Sequence, residues 1–163
     1  MSLETVKAYL REFGKDAAVM EFEESSATVA LAAEKVGTEP ARIAKTLAFY
    51  DPGDATRALL VVAAGDARLH NGAFKRQFGG KARMLAPEDL EPLTGHPMGG
   101  VCPFANPKAA RVYLDESLRR FEVVYPAAGT PASAVPMTCD ELAAASRSLG
   151  WVDVTNGWRA EEG

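Results

Sequence analysis

The sequence has few of the residue types that build disulfide frameworks and metal sites. Among its 163 residues are two cysteines, Cys102 and Cys139, and two histidines, His70 and His96. Two cysteines make neither a disulfide scaffold nor a zinc-binding spacing, and the histidines are too scattered to complete one. The sequence therefore predicts no metal site.

Long apolar runs are also missing. No run approaches the roughly 18 residues that a membrane-spanning helix needs. The N-terminal stretch "MSLETVKAYLREFG" has the pattern of an amphipathic helix and lacks the apolar core of a signal peptide. We therefore expect a soluble, cytoplasmic protein that does not associate with a membrane.

An excess of basic residues is absent as well. The chain has 18 Lys and Arg against 22 Asp and Glu, a net charge of −4. This balance disfavours a protein that coats nucleic acid, because such binding scales with the number of phosphates neutralised. Lys75, Arg76, Lys81 and Arg83 lie in one segment. They fit a solvated face, and a local basic patch is the alternative.

The pattern that is present is an alternation of helices and strands, in a chain of ordinary composition. Two apolar strands, 46–50 and 57–65, flank the turn sequence "DPGD" and predict a hairpin. Helix-separated strands elsewhere predict a mixed sheet with helices packed on it, an α/β or α+β fold in one domain over residues 1–163. Further predicted strands are 18–23, 82–85, 111–115, 122–128 and 151–154, and predicted helices are 3–13, 29–36, 38–44, 71–78, 87–94, 116–121 and 139–149.

Two features could carry chemistry. Lys45 in "RIAKTLAFY" enters an apolar strand, where an ammonium is costly to bury. It either extends its charge to water or stands at the mouth of a pocket, where it would meet a phosphate or a developing negative charge.

The loop "GHPMGGVCPFANP" contains Gly99, Gly100, Val101 and Pro103. Its backbone N–H groups could form an anion-binding or oxyanion concavity, or the loop could be a tight connection only.

Other polar residues have a structural and a functional interpretation. Cys102 and His96 could act as nucleophile and base, but no third group orients them, and free cysteines are usually small buried hydrophobes. Asp66 follows a strand as a loop cap or a pocket carboxylate. Asp115 ends a strand and is placed to cap the next turn, as Thr28 is placed to cap a helix.

Five segments together resemble one family, the YbaK and prolyl-tRNA synthetase-associated domain proteins, which also occur as the editing insertion of bacterial prolyl-tRNA synthetases. The segments are "SSATVALAAEKVGTEPARIAKTLAF", "GDARL", "TGHPMGGVCPF", "VYLDESL" and "VVYPAAGT". The resemblance runs from about residue 25 to residue 145. It is carried by the order and spacing of the segments rather than by any one of them.

The resemblance implies a mixed, partly barrel-like sheet flanked by helices. It implies hydrolysis, in trans and without metal or cofactor, of the ester joining a wrong amino acid to the terminal adenosine of a tRNA. Lys45 matches the lysine of the family pocket, and Gly99 to Pro103 match its GxxxP loop. The catalytic candidates are then Lys45, Gly99, Gly100 and Val101. The substrate-binding candidates are Thr28, Asp66, His96, Cys102, Pro103, Asp115 and Gly129.

In this interpretation Lys45 holds the terminal phosphate or ribose, and backbone N–H groups of the loop stabilise the tetrahedral intermediate. A ribose hydroxyl or a water molecule attacks. Cys102 stands where many relatives have serine or threonine, and we expect it to line the amino-acid pocket. The acidic composition suggests that selectivity for one tRNA, with tRNA-Pro the first candidate, depends on a partner such as prolyl-tRNA synthetase. The rival hypotheses are a non-catalytic aminoacyl- or nucleotide-binding module and a hydrolase that depends on Cys102. The oligomeric state is left open.

Overall fold

The computed structural model describes residues 2–24 and 28–159. In this part of the chain five α-helices and ten β-strands alternate, with short 3₁₀ turns between them. The α-helices are α1 (Ser2–Leu10), α2 (Val29–Val36), α3 (Asn71–Phe78), α4 (Pro87–Thr94) and α5 (Cys139–Ser146). The strands are β1 (Met20–Glu21), β2 (Ile43–Asp51), β3 (Asp54–Ala64), β4 (Arg68–Leu69), β5 (Arg111–Asp115), β6 (Val123–Pro126), β7 (Ser133–Ala134), β8 (Met137–Thr138), β9 (Trp151–Val152) and β10 (Thr155–Asn156).

The hairpin of β2 and β3 forms the centre of the main sheet. Its strands pair antiparallel from Ala44↔Ala64 to Asp51↔Asp54, as the apolar runs on either side of the turn predict. Asp51 closes the turn by accepting a hydrogen bond of 2.9 Å from the Gly53 N–H. The predicted hairpin is confirmed; β2 extends beyond both predicted ends, and β3 begins three residues earlier than predicted and ends one residue earlier.

The main sheet has the order β8-β6-β2-β3-β5-β9. The pairs β2–β3 and β6–β8 are antiparallel, whereas β2–β6, β3–β5 and β5–β9 are parallel. This confirms the predicted mixed sheet, which curls into a half barrel. Two small antiparallel pairs, β1–β7 and β4–β10, lie outside it.

Helices and apolar side chains cover both faces of the sheet. Side chains alternate between the two faces along each strand, so one strand contributes to both. Leu60 and Val62 belong to the larger buried cluster, with Val6 and Leu10 of α1 and Leu142 of α5. On the other face Phe49, Leu59 and Val61 pack with Phe74 of α3, and the Phe49 and Phe74 rings lie 4.8 Å apart. The sheet is therefore the centre of a layered fold.

Helix ends follow the capping residues closely. Thr28 caps α2 by accepting from the Leu31 N–H at 3.1 Å, and Thr138 and Glu141 form the predicted capping box of α5. The prediction that α5 runs to residue 149 is wrong. It ends at Ser146, where Arg147 takes the left-handed conformation with φ 54°.

Several short elements differ from the predicted ones. The first helix is α-helical only to Leu10 and continues as a 3₁₀ turn, and the predicted helix 38–44 is a 3₁₀ turn, Pro40–Arg42, because Ile43 already begins β2. Strand 18–23 is reduced to β1, and segment 82–85 makes only an isolated bridge, Phe49↔Met84. No helix within the described ranges is long and apolar enough to cross a membrane.

Candidate active site

A cavity of about 300 Å³ opens beside the first half of β2. Its walls come from α2, β2, the segment before and within α4, the glycine loop and residues 125–134. The lining is mainly small and aliphatic, with a few hydroxyl groups and one ammonium. The lining residues are Thr28, Val29, Ala32, Ile43, Ala44, Lys45, Thr46, Ala48, Met84, Leu85, Leu90, Gly99, Val101, Tyr125, Ala127, Thr130, Pro131, Ser133 and Ala134.

Lys45 is the charged residue of this lining. It lies near the start of β2, and its Nζ donates to the carbonyl of Gly65 at 3.4 Å and to the carbonyl of Ala67. Half-burial lowers the pKa of Lys45. Asp66 opposes this change and Arg68 adds to it. An ammonium has three N–H donors, so the two carbonyls leave one for a bound anion.

Gly65 makes this arrangement possible. A Cβ atom on Gly65 would lie 2.0 Å from the carbonyl oxygen of Pro40 and 2.7 Å from a methyl group of Val29. Only glycine fits at this close approach. The turn after β3 can therefore pack against α2 while its carbonyl reaches Lys45.

The glycine loop forms another wall of the cavity and packs against the segment after β6. A Cβ atom on Gly100 would lie 2.4 Å from the Gly129 carbonyl oxygen, so no larger residue fits there. The Gly100 N–H donates to the Pro97 carbonyl at 2.9 Å. The expectation that Gly100 supplies an oxyanion donor is therefore wrong, because its N–H is already used in a turn. Within the described chain, the N–H groups of Gly99 and Val101 have no hydrogen-bond acceptor.

A buried and a half-buried side chain tie the two ends of this loop together. His96 Nε2 lies 2.7 Å from the Phe104 carbonyl, and Asn106 donates to the carbonyls of Thr94 at 2.7 Å and Cys102 at 3.0 Å. His96 is fully buried, and its burial lowers the pKa of the imidazole. His96 therefore fastens the loop and does not face the cavity, contrary to its predicted substrate-binding role.

Cys102 lies beside His96, with 3.4 Å between Sγ and Nε2. The two hypothetical members of a nucleophile–base pair are thus neighbours. Neither side chain is accessible, however, and burial raises the pKa of the Cys102 thiol to about 12. A buried neutral thiol is not a nucleophile. The expectation that Cys102 lines the pocket is therefore wrong. The hypothesis of a hydrolase that depends on Cys102 is wrong for the same reason.

The remaining predicted residues divide between the cavity and its surroundings. Thr28 lines the cavity while it caps α2. Asp66 lies outside it, held by Arg120. Asp115 is fully buried and accepts from Ser117 N, Val154 N and Thr155 Oγ1. The structure therefore brings Thr28, Lys45, Gly99 and Val101 together. It leaves Asp66, His96, Gly100, Cys102, Pro103, Asp115 and Gly129 outside the lining.

The comparison with family models gives this cavity its context. The model of the aminoacyl-tRNA editing domain matches residues 23–145, about three quarters of the chain. The chain belongs to this family. The matched range contains every element that lines the cavity.

Individual proteins resemble more than nine tenths of the chain. The uncharacterized protein YwhH of Bacillus subtilis (strain 168) is 46% identical over 158 residues, 97% of this chain and 99% of YwhH. A solved structure described as a candidate trans-editing enzyme for prolyl-tRNA synthetase is 33% identical, with a TM-score of 0.84 over 96% of this chain and 98% of that one. The hypothetical protein APE2540 is 27% identical, with a TM-score of 0.81 over 93% of this chain and 99% of its own.

Sequence reasoning missed the wall of this editing-domain cavity that residues 130–134 supply. Ser133 Oγ donates to the Thr130 carbonyl at 2.9 Å and accepts from the Ala128 N–H at 3.0 Å, which folds the segment back on itself. Pro131 then packs against Gly99. The signal that could have indicated this wall is the turn sequence "GTPAS" directly after an apolar strand.

Proposed function

We propose that this editing-domain protein is a trans-acting deacylase, which hydrolyses the ester of a small non-cognate amino acid on tRNA-Pro. The observation that carries the proposal is that the Lys45 ammonium, the backbone of the glycine loop and small aliphatic side chains line one cavity. The 33% identical neighbour described as a candidate trans-editing enzyme for prolyl-tRNA synthetase supports this choice of tRNA.

The cavity suggests how the substrate lies. An aminoacyl group entering it would contact alanine side chains at its walls, among them Ala32, Ala44, Ala48 and Ala127. Lys45 would direct its remaining N–H at the phosphate or ribose of the terminal adenosine. The ester linkage would then lie between the ammonium and the glycine loop.

The reaction needs no protein nucleophile. A water molecule, held by the vicinal ribose hydroxyl, attacks the ester carbonyl carbon and gives up a proton, and the carbonyl oxygen gains negative charge. The N–H groups of Gly99 and Val101 are the candidate donors to this oxygen, and such a donor is worth about 10²–10³ in rate. The bond between the acyl carbon and the ribose oxygen then breaks, the ribose oxygen takes a proton, and the amino acid leaves.

The lining of the cavity is mainly small and aliphatic. A hydrophobic pocket discriminates by only about 1–3 kcal/mol per methylene, so one changed wall residue could shift the preferred amino acid. Alanyl-, cysteinyl- and seryl-tRNA-Pro are the candidate substrates. The net charge of −4 makes a partner synthetase a candidate source of tRNA selectivity, and the reaction would take place in the cytoplasm.

The test is deacylation of a panel by the wild type and Lys45→Ala. The panel contains alanyl-, cysteinyl-, seryl- and prolyl-tRNA-Pro, with alanyl-tRNA-Ala as the control for the tRNA. We expect fast release of one mischarged amino acid and loss of that release in Lys45→Ala. Binding of the same tRNAs without release, at enzyme in excess, would contradict the proposal and indicate a binding module.

A further inference from the structure

A second cation lies beside Lys45, outside the cavity. Strand β3 ends at Ala64, and a short turn leads to β4, which begins with Arg68. The Lys45 ammonium donates to the Ala67 carbonyl, directly before Arg68 in the chain. The turn that holds Lys45 therefore also sets the position of the Arg68 backbone.

The charges of this turn are unbalanced. The Asp66 carboxylate receives two hydrogen bonds from Arg120, of 3.0 and 2.5 Å, which close that ion pair. Lys45 and Arg68 form no ion pair with any carboxylate in residues 2–24 or 28–159. Arg68 also acts on Lys45, because its charge contributes to the lowered pKa of that lysine. Asp66 also acts on Lys45, but this carboxylate is shared with Arg120. Lys45, Arg68 and Arg120 therefore outnumber the one carboxylate, and the excess of positive charge attracts anions.

The backbone of Arg68 is held while its side chain is exposed. Strand β4 pairs with β10 in the register Leu69↔Thr155 and Arg68↔Asn156. Thr155 in turn donates to the buried carboxylate of Asp115 at 2.6 Å. Arg68 is exposed to solvent and does not line the cavity. An anion that meets both cations would therefore lie outside the cavity, on the Lys45 side.

We propose that Arg68 is a second phosphate-binding residue, which with Lys45 holds the phosphate attached to the terminal adenosine of the substrate. The inference rests on the proposed function and deepens it. The aminoacyl group occupies the cavity, and the phosphate is bound outside it by the two cations. Binding the two ends of the adenosine separately orients the ester toward the glycine loop. A guanidinium suits this role because it binds phosphate oxygens in a bidentate manner.

The test compares two minimal substrates that differ only in the phosphate. These are 3′-aminoacyl-adenosine and 3′-aminoacyl-adenosine 5′-phosphate, carrying the amino acid that the wild type removes. We expect Arg68→Ala to lose about three- to tenfold in kcat/KM on the phosphorylated substrate, through KM, as for an exposed charged hydrogen bond. It should match the wild type on the phosphate-free substrate, and Arg68→Lys should retain part of the effect.

Arg11→Ala is the matched control. It removes the same charge from an arginine whose side chain is 73% exposed, in the 3₁₀ turn after α1. On the full tRNA, Arg68→Ala should make the dependence of log kcat/KM on log salt shallower by about 0.7, the value for one phosphate contact on a single strand. Arg11→Ala should leave that slope unchanged.

The outcomes separate the two proposals. If the wild type hydrolyses both substrates and Arg68→Ala changes neither, or lowers both equally, the role of Arg68 is refuted and the deacylase proposal stands. If the wild type hydrolyses no mischarged tRNA of the panel, the deacylase proposal is refuted; if it hydrolyses the tRNA but neither minimal substrate, the deacylase proposal stands. Titration with adenosine 5′-monophosphate and adenosine then decides the role of Arg68. Weaker binding of the monophosphate alone by Arg68→Ala supports it, and unchanged binding overturns it.

Discussion

The burial of Cys102 makes a quantitative prediction about thiol reactivity. At pH 8 a thiol with a pKa of about 12 is ionised in about one molecule in 10⁴. A free cysteine with a pKa of about 8.5 is about one quarter ionised at that pH. A more basic thiolate is also more nucleophilic, with a Brønsted coefficient of 0.4–0.5, which raises the rate by a factor of about 40 and offsets part of this difference. Ionisation alone should therefore slow alkylation of Cys102 about 50-fold, and the opening needed to expose the sulfur slows it further.

The assay is iodoacetamide labelling of Cys139→Ser, in which Cys102 is the remaining thiol. We expect labelling at least about 50-fold slower than that of the same protein in guanidinium, because unfolding removes the protection. Cys102→Ser should keep deacylation within about threefold, since a hydroxyl can replace the thiol beside His96. Rapid labelling of the native protein, with loss of deacylation at the same rate, would refute the assignment of Cys102 to the core.

Three further predictions test the site and its support. Gly100→Ala should abolish deacylation and lower the free energy of unfolding by about 2–4 kcal/mol, because the Cβ atom of the alanine meets the Gly129 carbonyl. An unchanged activity and an unchanged denaturant midpoint would contradict this. KM should rise with pH, with a midpoint below the pKa of an ordinary lysine, because burial lowers the pKa of Lys45 and its neutral amine no longer attracts phosphate. Lys45→Arg should lose this pH dependence. If the pH dependence persists in Lys45→Arg, Lys45 is not the titrating group. Asp115→Ala should destabilise the protein by about 3 kcal/mol in urea unfolding, because three buried donors lose their acceptor. A change below about 1 kcal/mol would show that the Asp115 carboxylate does not stabilise the segments that donate to it.

Local sequence signals predicted the central elements of the fold. The hairpin follows from two apolar runs on either side of a Pro-Gly turn, and the ends of α2 follow from Thr28 and Gly37. Four strands of two residues, β4, β7, β8 and β10, were not predicted, because long-range pairing rather than propensity forms them. Strand β4, for example, exists only through its contact with β10 at the far end of the chain.

The candidate site was predicted in part, for a similar reason. Lys45 stood out because an ammonium in an apolar strand needs an explanation. The orientation of the glycine loop did not follow from its composition. Gly129, Thr130 and Pro131 pack against Gly99 and Gly100, and His96 and Cys102 turn inward to hold the loop. That packing is tertiary, so loop residues that look alike in sequence divide into cavity wall and buried support.

The role of Lys45 is tested most directly by the single-turnover rate of ester hydrolysis, with enzyme in excess, on the mischarged tRNA that the wild type prefers. We expect Lys45→Ala to lower this rate by about 10² or more, because it removes a charged group at the reacting ester. Lys45→Arg should retain a measurable part of it. Hydrolysis by Lys45→Ala at the wild-type rate would show that the reaction does not take place in the cavity that Lys45 and the glycine loop share.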